Sequence, residues 1–93
     1  MKIEFDPAKS EKNARERGLP FTMVENFDWG TSYSEEDTRF PYPERRWITT
    51  GFLGGRLHVV CHTPIEGGTR VISFRKANSR EVRKYEEKKA ADE

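Results

Sequence analysis

The chain predicts an α+β fold: an antiparallel β-sheet of three to four strands, flanked by N-terminal helices and a basic C-terminal helix. Three observations carry that expectation. Two β-rich runs, Arg46 to Leu53 and Arg56 to Thr63, face each other across Gly54-Gly55, a loop of favoured hairpin length. Asp6-Pro7 and Gly18 bracket a helical segment with start and stop signals. Asn78, with Glu81 three residues later, is the capping-box pattern that opens a second helix.

Taken in order, Lys2 to Phe5 reads as a short strand closed by Asp6-Pro7. The helix that follows runs from Pro7 to Arg17 and is polar enough to lie on the surface. A short helix then starts near Pro20, with Phe21, Val24 and Phe27, and Met23 beside them, spaced to face a core. Asp28 to Pro43 has no clear period. Its prolines and acids suggest an irregular segment with one edge strand near Tyr33.

The central hairpin has a register set by its loop. Phe52 opposes Leu57, Thr50 opposes Val59 and Ile48 opposes Cys61, giving one apolar face. On the other face Gly51 opposes His58, Thr49 opposes Val60 and Trp47 opposes His62. A second turn at Glu66-Gly67-Gly68 returns the chain as Thr69 to Phe74. That loop length is ambiguous, so the face that Arg75 occupies stays open. The last helix has Val82 and Tyr85 as a narrow apolar seam, and the tail after Lys89 is expected to fray.

Composition bounds the function. At 93 residues, the chain is sized for a single domain, 1–93, with a modest core. No apolar run approaches the ~20 residues that span a bilayer, and no signal-peptide pattern opens the chain, so a cytoplasmic protein is expected. The lone cysteine, Cys61, sits in an apolar run and reads as a buried small side chain in a reducing compartment. No metal or other cofactor is expected from two histidines and one cysteine without paired ligand spacing.

Charge is unevenly placed. Residues 25–44 hold Glu25, Asp28, Glu35, Glu36, Asp37 and Glu44 against Arg39 alone. Residues 70–89 reverse this, with Arg70, Arg75, Lys76, Arg80, Arg83, Lys84, Lys88 and Lys89 against three glutamates. A net charge of +1 therefore hides a dipolar chain, whose local field would steer a partner.

Three constellations invite chemistry. Arg75-Lys76 end a strand just before Arg80, Arg83 and Lys84 on a helix, where 80 shares a face with 83 and 84. Phosphates would repay the crowding of like charge by releasing counterions, although a solvated surface helix has the same composition. Glu44-Arg45-Arg46 offers a carboxylate beside guanidinium groups, either as a base near an anion or as a structural ion pair. His58 and His62, four apart on one strand, stand about 13 Å apart and cannot share one metal or proton. Both read as packed sheet residues. The residues alone thus argue for anion binding and leave catalysis open.

Three stretches in order, I-E-F-D-P-A-K-S-E-K-N-A-R-E-R-G at 3–18, E-R-R followed by I-T-T-G at 44–51, and R-V-I-S-F-R-K-A-N-S-R-E-V-R-K-Y at 70–85, resemble the BrnT family of ribonuclease toxins from type II toxin–antitoxin systems. The resemblance implies a RelE-like fold and metal-independent RNA cleavage that inhibits translation and growth. It also implies a BrnA-like ribbon-helix-helix antitoxin, through which the complex binds operator DNA. On the matching positions, Glu44, Arg46, Arg75 and Arg80 become the candidate catalytic residues, with Glu44 as general base. Lys76, Arg83, Lys84, Arg45 and Trp47 become the RNA-binding set, and Tyr85 either stacks a base or anchors its helix. Lys9, Asn13 and Gly18 match the N-terminal stretch and read as largely structural. Many members carry His before that glycine and His-Ser in the acidic segment, where this chain has Arg17 and Phe40-Pro41. Two other readings stay open to the sequence: a nucleic-acid- or partner-binding module without turnover, and an inactive toxin kept as co-repressor with its antitoxin.

Overall fold

A computed structural model describes residues 1–92. In chain order its elements are β1 (Lys2–Phe5), α1 (Pro7–Arg17), a 3-10 helix (Phe21–Asn26), β2 (Tyr33–Glu36), β3 (Trp47–Leu53), β4 (Arg56–Ile65), β5 (Gly68–Lys76) and α2 (Ser79–Ala91). The helix ends follow the local signals. Asp6 Oδ1 accepts from the Ala8 amide at 2.9 Å, and Gly18 closes α1 in the left-handed region at φ 69°. At α2, the Asn78 side chain and the Glu81 carboxylate complete a reciprocal capping box. The expected fraying after Lys89 is not found at Ala90 and Ala91, which are helical; Glu93 lies outside the described residues.

The sheet departs from the antiparallel three to four strands expected. It has five strands in the order β1-β5-β4-β3-β2, and it is mixed. β2, β3, β4 and β5 pair antiparallel, whereas β1 lies parallel to β5 with Lys2 opposite Gly68 and Phe5 opposite Val71. A four-residue strand carries no mark of the edge it will join, and parallel pairing always needs a crossover from elsewhere in the chain. Close approach does leave one trace. A Cβ at Gly68 would run into the backbone carbonyl of Lys2, so the docking of β1 requires glycine there.

The β3–β4 register is the expected one at every pair from Trp47↔His62 to Leu53↔Arg56. The β4–β5 turn pairs Ile65 with Gly68, leaving Glu66-Gly67 as a two-residue loop. That register would bring Arg75 opposite His58. Instead a bulge at Ile72 shifts the pairing, and Arg75 lies opposite Val59. Because side chains alternate, the extra residue moves Arg75 from the histidine face to the opposite one.

Each face of the sheet has its own core. Phe21 and Val24, one turn apart on the 3-10 helix, and its C-cap residue Phe27 pack with Leu19 on Val60, Val71 and Phe74. Their three-residue spacing suits the 3-10 period. On the other face Tyr85, with Val82 beside it, packs with Ala77 on Leu57 and Val59. α2 covers only that end of its face. The end formed by Ile48, Cys61 and Ser73 stays uncovered, and the cleft described below opens there.

Candidate nucleic-acid interface

Four arginines converge on this uncovered end from separate elements. Arg75 comes from β5, Arg80 from the first turn of α2, Arg46 from the residue just before β3 and Arg39 from the loop after β2. With Asp37, Tyr42, Ser73 and Asn78 they surround a cleft of about 430 Å³, floored by Ile48, Val59 and Cys61.

The acids of this region hold the arginines in place. Arg75 donates to both oxygens of Glu81, at 2.7 and 2.8 Å, which raises the guanidinium pKa and lowers that of the carboxyl. Arg39 also forks on Asp37, through Nε and Nη2 at 2.8 Å to each oxygen. Asp37 has a side chain only 1% exposed, and the Arg39 hydrogen bond brings its pKa down to about 2. Arg46 donates from Nε to Glu44 Oε1 at 2.8 Å and lies 4.0 Å above the Tyr42 ring. These bonds leave other N–H groups on each guanidinium to meet an anion, although Arg75 Nη1 also donates to the Lys76 carbonyl at 3.3 Å. Arg80 is exposed and makes no ion pair among the described residues.

The other sequence-predicted residues are not all gathered here. Glu44 reaches the cleft through Arg46, while its own carboxylate lies in the hollow of the loop spanning Glu36 to Arg45. Arg45 turns away to Glu36, with two hydrogen bonds of 3.1 Å, and lies over Trp47. Trp47 pairs with His62 on the opposite face, and Lys76 is paired with His58 there. Lys84 is engaged by Glu35 in an adjoining cavity between β2 and α2, whereas Arg83 is exposed on α2. Of the two roles open to Tyr85, the anchor is the one seen. It is 7% exposed, meets Phe52 edge-on and donates to the Thr31 carbonyl at 2.6 Å.

Both histidines are packed sheet residues. His58 stacks on Phe74 and bonds the Arg56 carbonyl at 2.8 Å. His62 lies between the Thr49 and Thr69 hydroxyls at 2.6 and 2.9 Å, and burial lowers its pKa to about 4. Asn13 is structural too: its amide donates to the carbonyls of Leu19 and Phe74, fastening α1 to β5.

Sequence reasoning missed Arg39, Asp37 and Tyr42 as cleft residues. One signal was available. Arg39 is the sole cation in the acidic stretch, and a lone guanidinium among carboxylates is held in place by them.

The pattern defines a class: a small α+β protein with a pinned cluster of arginines lining one cleft. Residues 5–81 match the family model described as ribonuclease toxin, BrnT, of type II toxin-antitoxin system. The chain belongs to the BrnT toxin family, and membership implies an RNA target and an antitoxin partner. No curated protein matches it. The family match ends at Glu81, so it includes Arg39, Arg46, Arg75 and Arg80 and leaves Arg83 and Lys84 beyond it. Among the described residues, no helix is long and apolar enough to cross a membrane.

Proposed function

We propose that residues 1–93 form a single RelE-like toxin domain in the cytoplasm and that the arginine cleft is its metal-independent endoribonuclease site. The observation that carries this reading is the convergence of Arg39, Arg46, Arg75 and Arg80 on one cleft whose acids are already tied up. An RNA phosphate seated among them meets several N–H donors at fixed positions. The RNA's own 2′-oxygen attacks the adjacent phosphorus, its proton passes to a base, and the 5′-oxygen leaves and takes a proton from water. The products are a 2′,3′-cyclic phosphate and a 5′-hydroxyl end. Arg75 and Arg46 stabilise the extra negative charge of the phosphorane, and positions held in advance spare the cost of reorganising them. Arg80, Arg83 and Lys84 hold flanking phosphates, and Lys76, Arg45 and Trp47 extend contacts to RNA beyond the cleft.

Glu44, which adjoins the cleft through Arg46, is the base of choice because it keeps a carboxylate oxygen free. Asp37 and Glu81 each have both oxygens bound to an arginine. Among the described residues Glu44 engages one oxygen only, and its side chain is 38% exposed. A BrnA-like ribbon-helix-helix antitoxin would neutralise the enzyme by covering the cleft and would carry the complex to operator DNA.

The test is induced expression of the wild type beside Arg75→Ala, followed by incubation of each purified protein with RNA in chelator. Growth arrest and chelator-resistant cleavage by the wild type alone are expected. Soluble wild-type protein that cleaves no RNA would overturn the reading.

A further inference from the structure

We propose that the groove between α1 and the free edge of β5 is a second RNA subsite, which carries the single strand onward from the arginine cleft. The inference rests on the ribonuclease reading and extends it to a surface the cleft does not include.

The groove, about 290 Å³, is lined on its helical side by Lys9, Lys12, Asn13, Glu16 and Arg17. Its other wall contains Ile72 and Ser73, which also line the arginine cleft. The two hollows are therefore neighbours across the same two residues. They meet because β1 is short. It ends opposite Val71, so beyond that point β5 has no strand on its outer side and nothing of β1 separates the hollows. The two Asn13 hydrogen bonds, 2.7 Å to the Leu19 carbonyl and 2.8 Å to the Phe74 carbonyl, hold α1 rigidly against this edge.

Charge favours a phosphate backbone here. Lys9 and Arg17 make no ion pair among the described residues. The Lys12–Glu16 contact is long, at 3.9 Å, and both side chains are more than half exposed, so it neutralises little. Glu11, the other acid of α1, is engaged by Arg15. Lys9 and Arg17 stand about 12 Å apart along the helix axis, so the helix presents a row of cations. Ammonium groups on flexible stems grip phosphates without reading bases, which suits the sequence-tolerant hold of a flanking strand.

The experiment measures binding of uncleavable 2′-O-methyl RNA across a salt series, with oligomers of on the order of twelve and of four nucleotides. Wild type is compared with the combined Lys9→Ala, Lys12→Ala and Arg17→Ala variant and with Glu16→Gln. The wild type should prefer the longer oligomer. The triple variant should lose about tenfold or more of that preference, and its salt slope on the longer oligomer should fall by about two, near 0.7 for each phosphate contact. Glu16→Gln should shift affinity for the longer oligomer the opposite way. A triple variant with wild-type length preference and slope would overturn the subsite while leaving cleavage at the cleft standing. A wild type that binds neither oligomer and cleaves no RNA would overturn both.

Discussion

Arg75 and Glu81 are joined by two hydrogen bonds of 2.7 and 2.8 Å, and the same carboxylate accepts the Asn78 amide at 2.9 Å to close the capping box of α2. One side chain thus starts a helix and aims an arginine. The Glu81→Gln variant separates the two jobs. Glutamine still completes a capping box, so unfolding free energy should change by about 1 kcal/mol or less. It cannot accept a fork, so Arg75 loses its fixed aim and cleavage should fall by about one to two orders of magnitude. Thermal unfolding and single-turnover cleavage measured side by side check this. Unchanged cleavage would mean that the aim of Arg75 does not matter.

Acid should weaken the fold through His62 before it reaches the carboxylates. The folded pKa of about 4 lies below the ordinary 6.5, so the unfolded chain binds the extra proton first. His62 neutrality therefore contributes fully above about pH 6.5 and is lost as pH falls towards 4, at a cost on the order of 3 kcal/mol. Burial lowers the pKa of His58 too, and it adds to the same limb. Asp37, with a folded pKa of about 2, acts only below the ordinary carboxylate range. Urea titrations at several pH values should show His62→Gln flattening the upper window and sparing the lower one.

Phe74 has no exposed surface and packs at the centre of the larger core. Phe74→Ala should cost about 3–5 kcal/mol, since a cavity under the 3-10 helix adds to the lost transfer energy. Denaturant midpoints at constant m-value would verify it.

Gly68→Ala should detach β1. The added Cβ meets backbone rather than a movable side chain, so the strand must shift away from β5. Amide hydrogen exchange should speed up selectively across residues 2–5 and 68–71, with β3 and β4 protected as before.

The parts legible in the sequence are those set by neighbours along the chain. Gly54-Gly55 imposed the β3–β4 register, because a two-residue loop leaves the flanking strands one pairing. Asp6-Pro7, Gly18 and the Asn78/Glu81 pair marked the ends of α1 and the start of α2, because caps satisfy backbone groups within a turn. The basic strand-to-helix junction was visible for the same reason, with Arg75 and Arg80 five residues apart.

Tertiary structure decided which of these charges meet. The bulge at Ile72 moved Arg75 across the sheet, and no local pattern announces a single unpaired residue. β1 chose a parallel edge from the far end of the chain. The acidic stretch folded back to place Arg39 and Asp37 beside Arg75, and Glu35 against Lys84, so the dipole read along the sequence is partly cancelled in space. Periodicity and capping act over a few residues, whereas a site is built from sheet faces and strand order. Those are set only when the whole chain packs.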